Sequence, residues 1–118
     1  MRIVLTGSSG RLGRAIFNRL AGEHSVVGID RSPFSTTHLV GDLADTALLR
    51  EAIEGADAIV HCAALHAPHV GTVPDAEFRR INVEGTYLLA ETAMAAGVKR
   101  LIFTRRLHMG RRRYRSAA

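Results

Sequence analysis

Three glycines close to the amino terminus, Gly7, Gly10 and Gly13, have the spacing of a phosphate-binding loop. They follow the apolar run 3–5 and precede a segment whose apolar residues recur at helical spacing. In such a loop the first glycine permits a tight turn, the second lets the backbone approach phosphate oxygens, and the third lets the helix pack closely on the strand. Free amides and the positive end of the helix dipole then face the anion. The pattern predicts a site for the pyrophosphate of a dinucleotide, with a structural turn that binds no ligand as the alternative.

A carboxylate at the end of the second apolar run would complete this site. Asp30 lies seventeen residues after Gly13 and directly follows the run 26–29. An acidic residue at this place accepts hydrogen bonds from the ribose hydroxyls of adenosine and repels a 2′-phosphate. We therefore expect NAD as the cofactor. Arg11 and Arg31 leave NADP as an alternative, because either guanidinium could meet the extra phosphate, and a solvated strand-end carboxylate is the alternative for Asp30.

The positive charge of the chain is confined to its last residues. The 118 residues carry a formal net charge of +5, but positions 1–104 hold ten basic and eleven acidic side chains. Positions 105–118 hold six arginines and no acid. The length fits one domain with a real core. The nearly neutral body argues against nucleic-acid binding by the folded part.

Cysteine usage and hydropathy predict a cytoplasmic protein. The chain has a single cysteine, Cys62, which excludes an internal disulfide and fits a reducing compartment. No apolar stretch reaches the length of a membrane span, and the pattern of a signal peptide is missing. We expect the Cys62 side chain to act as a small buried hydrophobe.

Apolar periodicity predicts strands that alternate with helices. Short apolar runs indicate strands near 3–5, 25–30, 37–40, 58–60 and 101–103, the third being weakly indicated because it follows the second so closely. Helical spacing indicates helices from Leu12 to Leu20, over 42–55 with Asp45 near its start, and over 74–96 with Gly97 as its cap. Such alternation is typical of an α/β fold, a doubly wound parallel sheet of the Rossmann type with about five strands.

Several short motifs resemble, in order and spacing, those of the extended short-chain dehydrogenase/reductase family. This group includes NAD-dependent epimerases and dehydratases of nucleotide sugars. The matching segments cover residues 1–104 and are Thr6 to Gly13, Asp30, Gly41 to Leu43, His61 to Ala64, Asn82 to Thr86 and Arg100 to Thr104. The resemblance implies that residues 1–104 form an NAD(P)-binding domain.

The resemblance also implies roles for individual residues. Asp42 and Leu43 would flank the adenine, Ala63 and Ala64 would line the path to the nicotinamide ribose, and Asn82 would steady the active-site backbone or a water. Gly85 and Thr86 would mainly allow close helix packing. The full set of residues expected at the cofactor is Gly7, Ser9, Gly10, Arg11, Leu12, Gly13, Asp30, Arg31, Asp42, Leu43, Cys62, Ala63, Ala64 and Asn82.

The family pattern stops before the residues that would carry out the reaction. In the family, a Ser/Thr-rich segment and then a Tyr-x-x-x-Lys pair follow this strand, and the tyrosinate acts as acid and base. Here Thr104 is followed by an arginine-rich segment, and no lysine follows Tyr114. We therefore assign no catalytic residue and expect this chain to be inactive by itself.

Residues 105–118 are expected to be a basic tail outside the domain. They are interpreted either as an out-of-frame reading of a longer gene or as a solvated, disordered tail of a short protein. In both cases we expect the sheet to be truncated after the fifth strand and the substrate site to be absent or incomplete. The exposed apolar edge of that strand favours dimerisation or aggregation.

Three functions are compatible with these patterns. The first is the NAD(P)-binding part of an epimerase/dehydratase-like oxidoreductase acting on a nucleotide sugar or a similar hydroxyl or carbonyl substrate. The second is a non-catalytic NAD(P)-binding or sensing module. The third is nucleic-acid binding through the arginine-rich tail, which lacks interleaved aromatic residues. A metal site at His61, His66 and His69 is disfavoured, because no neighbouring Cys or acid completes a ligand set.

Overall fold

Except between the second and third strands, strands and helices alternate along the described residues, as the sequence predicts. The computed structural model describes residues 1–62, 76–77 and 83–104. The strands are β1 (Arg2–Thr6), β2 (Ser25–Asp30), β3 (Leu39–Val40), β4 (Ala58–His61) and β5 (Arg100–Phe103). The helices are α1 (Arg11–Leu20), α2 (Thr46–Ile53) and α3 (Gly85–Ala95).

The five strands form one parallel sheet in the order β3-β2-β1-β4-β5. The chain moves outward from β1 to β3 on one side, and β4 and β5 lie on the other side of β1. The direction of winding therefore reverses between β1 and β4, and in open α/β sheets ligands bind beyond the carboxyl ends of the strands at such a reversal. The register places Thr6 beside both Ile29 and His61, so the ends of β1, β2 and β4 are level. The predicted doubly wound α/β class is confirmed.

Both faces of the sheet are covered by helices. Val4 points toward one face and its neighbours Ile3 and Leu5 toward the other, as the pleat requires. The first face packs on α2 and α3 through Leu49, Ile53, Leu89 and Ala93, and the second packs on α1 through Ile16, Phe17 and Leu20. Burial on both sides accounts for the continuous apolar runs in the central strands.

The third strand is present but contains only two residues. Leu39 and Val40 pair with Ile29 and Asp30 in parallel register. The connection 31–38 contains no helix and turns back beside β2, where the His38 amide donates to the Gly28 carbonyl at 2.9 Å. The Gly28 amide in turn donates to His38 Nδ1 at 2.9 Å. A compact turn thus replaces the usual helical crossover.

Helix α2 is shorter than the sequence predicts. Asp42 accepts a hydrogen bond from the Ala44 amide at 2.9 Å, which forms a turn, and α2 begins only after Asp45. The carboxylate of Asp45 caps the helix by accepting from the Leu48 amide at 3.1 Å. The prediction that the helix spans 42–55 was therefore too long at both ends.

Helix α3 ends where the sequence predicts. Gly97 has a φ of +74°, and the Val98 amide donates to the Ala93 carbonyl at 3.0 Å. This left-handed residue closes the helix. The predicted helix start at position 74 and the inner residues Phe78 and Ile81 lie outside the described residues. Among the described helices, none is long and apolar enough to cross a membrane.

Candidate functional site

Two of the three loop glycines are required by the protein's own backbone. Gly7 has a φ of +74°, which side-chain-bearing residues rarely adopt. Its amide donates to the Ile29 carbonyl at 2.8 Å and so joins the loop to β2. A Cβ added at Gly13 would lie 1.9 Å from the Gly7 carbonyl oxygen. The close packing predicted for the third glycine is therefore present.

Gly10 differs from the other two glycines. A Cβ at this position would lie 3.4 Å from the Gly7 carbonyl oxygen, an ordinary van der Waals distance, and the residue is exposed. Packing within the described residues therefore does not explain why position 10 is a glycine. Free space at Gly10 faces outward, beyond the amino end of α1.

The amino end of α1 presents amides for which the described part of the chain provides no acceptor. Gly10 is the N-cap and supplies no side-chain cap, and the first helical hydrogen bond runs from the Arg14 amide to the Gly10 carbonyl at 2.9 Å. No described residue accepts from the amides of Arg11, Leu12 or Gly13. The Leu12 side chain, 54% exposed, stays outside the core despite its helical spacing. Such amides and the helix dipole favour an anion.

Asp30 is held beside the glycine loop by two backbone amides. One carboxylate oxygen accepts from the Ser9 amide at 3.0 Å, and the other accepts from the Ser32 amide at 2.9 Å. Each carboxylate oxygen retains capacity for a second donor, so the group can still accept hydrogen bonds from hydroxyls. The adjacent Arg31 Nη2 lies 3.9 Å from Glu77 Oε1.

A network of hydroxyls that the sequence analysis missed fixes the loop against segment 31–38. Thr37 Oγ1 lies 2.6 Å from both Ser8 Oγ and Ser9 Oγ. Ser9 Oγ also donates to the Ser32 carbonyl at 2.5 Å. Ser9, which was expected to contact the cofactor, therefore has both its amide and its hydroxyl bonded within the protein. The clustering of Ser and Thr at 32–37 was the sequence feature from which this hydroxyl network could have been predicted.

Gly28 makes the approach of this segment possible. A Cβ at Gly28 would lie 2.0 Å from the Thr36 carbonyl oxygen and 2.6 Å from Ser8 Oγ. The residue lies in the middle of β2, where a glycine otherwise weakens a strand. A glycine at this position within a strand was therefore a sequence feature that indicates a close backbone contact.

His61 connects three elements at the carboxyl end of β4. Its Nδ1 lies 2.6 Å from Thr6 Oγ1 at the end of β1, and its Nε2 lies 2.9 Å from Thr86 Oγ1 on α3. Burial lowers the pKa of His61 to about 4, so the imidazole is neutral at pH 7. Both ring nitrogens are thus occupied by threonines, and Thr86 does more than allow close packing. His66 and His69 lie outside the described residues.

Cys62 follows His61 at the mouth of the sheet. Its amide donates to Thr6 Oγ1 at 3.0 Å. Burial raises the pKa of the Cys62 thiol, and a hydrogen bond with Thr104 opposes that shift. The thiol is therefore protonated at neutral pH. Cys62 is half-buried and packs against the apolar cluster that contains Ile3 and Val60, so the expected apolar role is present but full burial is not.

The remaining predicted site residues divide into two groups. The Leu43 side chain is buried in the core beneath the sheet end, and Asp42 is half-buried beside it. Ala63, Ala64 and Asn82 lie outside the described residues, as do Tyr114 and the tail 105–118. The structure thus brings the glycine loop together with Asp30 and Arg31, and places His61 and Cys62 across β1 from them.

Comparison with known proteins identifies proteins that are similar to this chain in sequence or in fold. L-arabinose 1-dehydrogenase (NAD(P)(+)) of Haloferax volcanii is 36% identical over 109 residues, which are 92% of this chain and 42% of that protein. A short-chain dehydrogenase/reductase superfamily protein from Agrobacterium tumefaciens, solved with bound NAD, is 36% identical with a TM-score of 0.76, over 87% of this chain and 32% of its own. MoeE5, solved with UDP-glucose and NAD, is 29% identical with a TM-score of 0.76, over 87% of this chain and 36% of its own.

The chain therefore spans less than half the length of these three proteins. The model of the NAD dependent epimerase/dehydratase family matches residues 3–105, which include all five strands apart from Arg2. This match includes the glycine loop, Asp30 and the His61 network. The chain belongs to the NAD dependent epimerase/dehydratase family.

Proposed function

We propose that this chain binds NAD and forms the cofactor-binding part of an oxidoreductase that acts on a hydroxyl or carbonyl group of a sugar or nucleotide sugar. The observation that carries the proposal is Gly10. Packing within the described residues does not require a glycine at this exposed position. No described residue accepts a hydrogen bond from the neighbouring amides at the start of α1. A ligand phosphate that lies close to the backbone here would require a residue without a side chain.

The residues present fit a dinucleotide. The amides of Arg11 and Leu12, at the positive end of α1, would hold the pyrophosphate. Asp30, already oriented by the Ser9 and Ser32 amides, would accept hydrogen bonds from the adenosine ribose. Its negative charge favours NAD over NADP, and Arg31 remains the group through which NADP could bind.

The other contacts in the proposal rest on family membership. Asp42 and Leu43 would border the adenine, with the Leu43 side chain buried in the core. The backbone at Cys62, with Ala63, Ala64 and Asn82, would border the nicotinamide half. Thr6 and His61 would hold this part of the backbone in place, because Thr6 Oγ1 accepts from the Cys62 amide and contacts His61.

Bound NAD would supply hydride transfer, and this chain would bind and orient it. The sequence contains no Tyr-x-x-x-Lys pair, so we assign no proton donor or acceptor to the reaction. The substrate class follows from the sugar and nucleotide-sugar names of the similar proteins.

Calorimetric titration of the purified chain with NAD tests the proposal. We expect the unmodified chain to bind NAD. Gly10→Ala should bind NAD with an affinity lower by roughly tenfold or more, because its Cβ would keep the phosphate from its closest contact with the backbone. This loss corresponds to about 1.4 kcal/mol of binding free energy. Gly22→Ala is the matched control, since no atom lies within 4 Å of a Cβ there. Its affinity should equal that of the unmodified chain.

Both variants should keep their stability within about 0.5 kcal/mol, because neither Cβ meets a close neighbour. Gly13→Ala should instead destabilise the fold, since its Cβ would meet the Gly7 backbone. Mixed with NAD and simple sugars, the chain should form no NADH. Absence of NAD binding by a folded sample, or equal affinities for Gly10→Ala and Gly22→Ala, would refute the proposed site.

A further inference from the structure

We infer that Glu77 is a specificity-determining residue that holds Arg31 away from a 2′-phosphate and so disfavours NADP. The inference rests on the proposed function and adds to it a residue for which neither the sequence motifs nor the family match provides a role. It depends on the ion pair between Arg31 and Glu77, which within the described residues brings a second acidic side chain close to Arg31.

The geometry places three charged groups together. Arg31 directly follows Asp30, whose carboxylate is fixed by the Ser9 and Ser32 amides. Arg31 Nη2 lies 3.9 Å from Glu77 Oε1, and the two side chains are 51% and 37% exposed. Glu77 comes from a segment distant in sequence from β2, so the contact is tertiary.

The charges then decide which dinucleotide is favoured. An unpaired guanidinium beside Asp30 would be a good partner for a 2′-phosphate, because Arg binds phosphate through paired hydrogen bonds. With Glu77 in place, a phosphate at that position meets two carboxylates and one guanidinium. It must also compete with Glu77 for Arg31. NAD carries no phosphate there, so its binding does not depend on this competition.

The size of the effect follows from the exposure of the pair. Half-exposed ion pairs contribute about 1 kcal/mol at most, which corresponds to about a fivefold change in affinity. Salt screens such pairs, with a screening length of about 10 Å at 0.1 M. We therefore expect a selectivity change of about two- to fivefold that decreases at high salt.

The test measures the dissociation constants for NAD and NADP by calorimetry in four chains. These are the unmodified chain, Glu77→Gln, Arg31→Ala and the double variant. Glu77→Gln should strengthen NADP binding by about two- to fivefold and leave NAD binding unchanged. In the Arg31→Ala background the same substitution should give no gain, because the released guanidinium is missing. Glu91→Gln, on the exposed surface of α3, makes the same change in net charge and is the matched control.

The outcomes separate the two proposals. If NAD binds and Glu77→Gln changes NADP affinity no more than Glu91→Gln does, the role of Glu77 is wrong while the cofactor site stands. A gain that persists without Arg31 would likewise overturn it, since a general charge effect would then suffice. If the unmodified chain binds no NAD, the proposed function fails and the inference fails with it.

Discussion

His61 shows how one side chain links the parts of the candidate site. Its ring bridges Thr6 on β1 and Thr86 on α3, and the Phe103 ring of β5 meets it edge-on at 5.8 Å. Burial lowers the pKa of His61 to about 4, because a charged imidazole would be poorly solvated there. The network therefore requires neutral histidine.

The pKa of His61 predicts how stability depends on pH. The folded-state pKa of about 4 lies below the ordinary histidine value of 6.5, so the unfolded chain binds the proton more readily. Stability should be complete above about pH 6.5 and fall by roughly 3 kcal/mol as the pH drops toward 4. Denaturant unfolding across this range measures it.

His61→Gln should remove most of the fall in stability between about pH 6.5 and 4. His24→Gln, at the opposite end of the sheet, should retain that fall. A wild-type stability that stays constant from pH 6.5 to 4 would contradict the buried neutral state on its own. That measurement needs no variant, so it remains decisive if His61→Gln does not fold.

Local rules predicted some site residues and missed others for a physical reason. The conformations of Gly7 and Gly13 follow from a turn and a helix start adjacent in sequence, so their spacing was enough. The need for glycine at position 28 arises from Thr36 and Ser8, which approach it only in the folded chain. The Arg31–Glu77 pair likewise depends on tertiary structure. The cofactor contacts themselves remain a prediction.

At the level of elements, helix and strand types were predictable, while the start of α2 was not. Both Asp42 and Asp45 can accept from a backbone amide, and the sequence alone does not choose between them. In the structure Asp42 closes a turn and Asp45 caps α2. Within α2, Leu49 is fully buried and Leu48 is half-buried against the same core. Boundaries thus depend on which of two similar caps the tertiary packing favours.

Replacing the cap tests this assignment. Asp45→Ala removes the acceptor for the Leu48 amide and should destabilise the fold by about 1 kcal/mol, as measured by the midpoint of denaturant unfolding. Glu51→Ala changes an exposed acid in the same helix and is the control, with an expected change below about 0.5 kcal/mol. Equal losses for the two variants would mean that the cap contributes nothing specific.

For the whole molecule, alternation of apolar runs was enough to predict a parallel sheet, but it did not show what lies beside its last strand. Within the described residues β5 pairs with β4 alone, and Ile102 and Phe103 are 51% and 52% exposed. An apolar strand with one open edge pairs readily with another chain. We therefore propose that this chain associates with itself through β5.

Sedimentation equilibrium over a range of concentrations measures this association. Ile102→Lys should shift the chain toward monomer, because a charged side chain on an edge strand opposes further pairing. Met94→Lys places the same charge on α3, at a side chain that is 81% exposed, and should leave association unchanged. Monomer at all concentrations for the unmodified chain would exclude the β5 interface.

The central position of β1 has a consequence for synthesis on the ribosome. The residues of the middle strand, β1, leave the exit tunnel before those of one of its two neighbours, β4, which is translated only at residues 58–61. Until then one row of hydrogen-bonding groups along Val4 and Leu5 has no native partner. The nascent chain therefore carries an unfinished apolar strand until β4 is translated, a period in which binding by a chaperone would protect it from foreign strands.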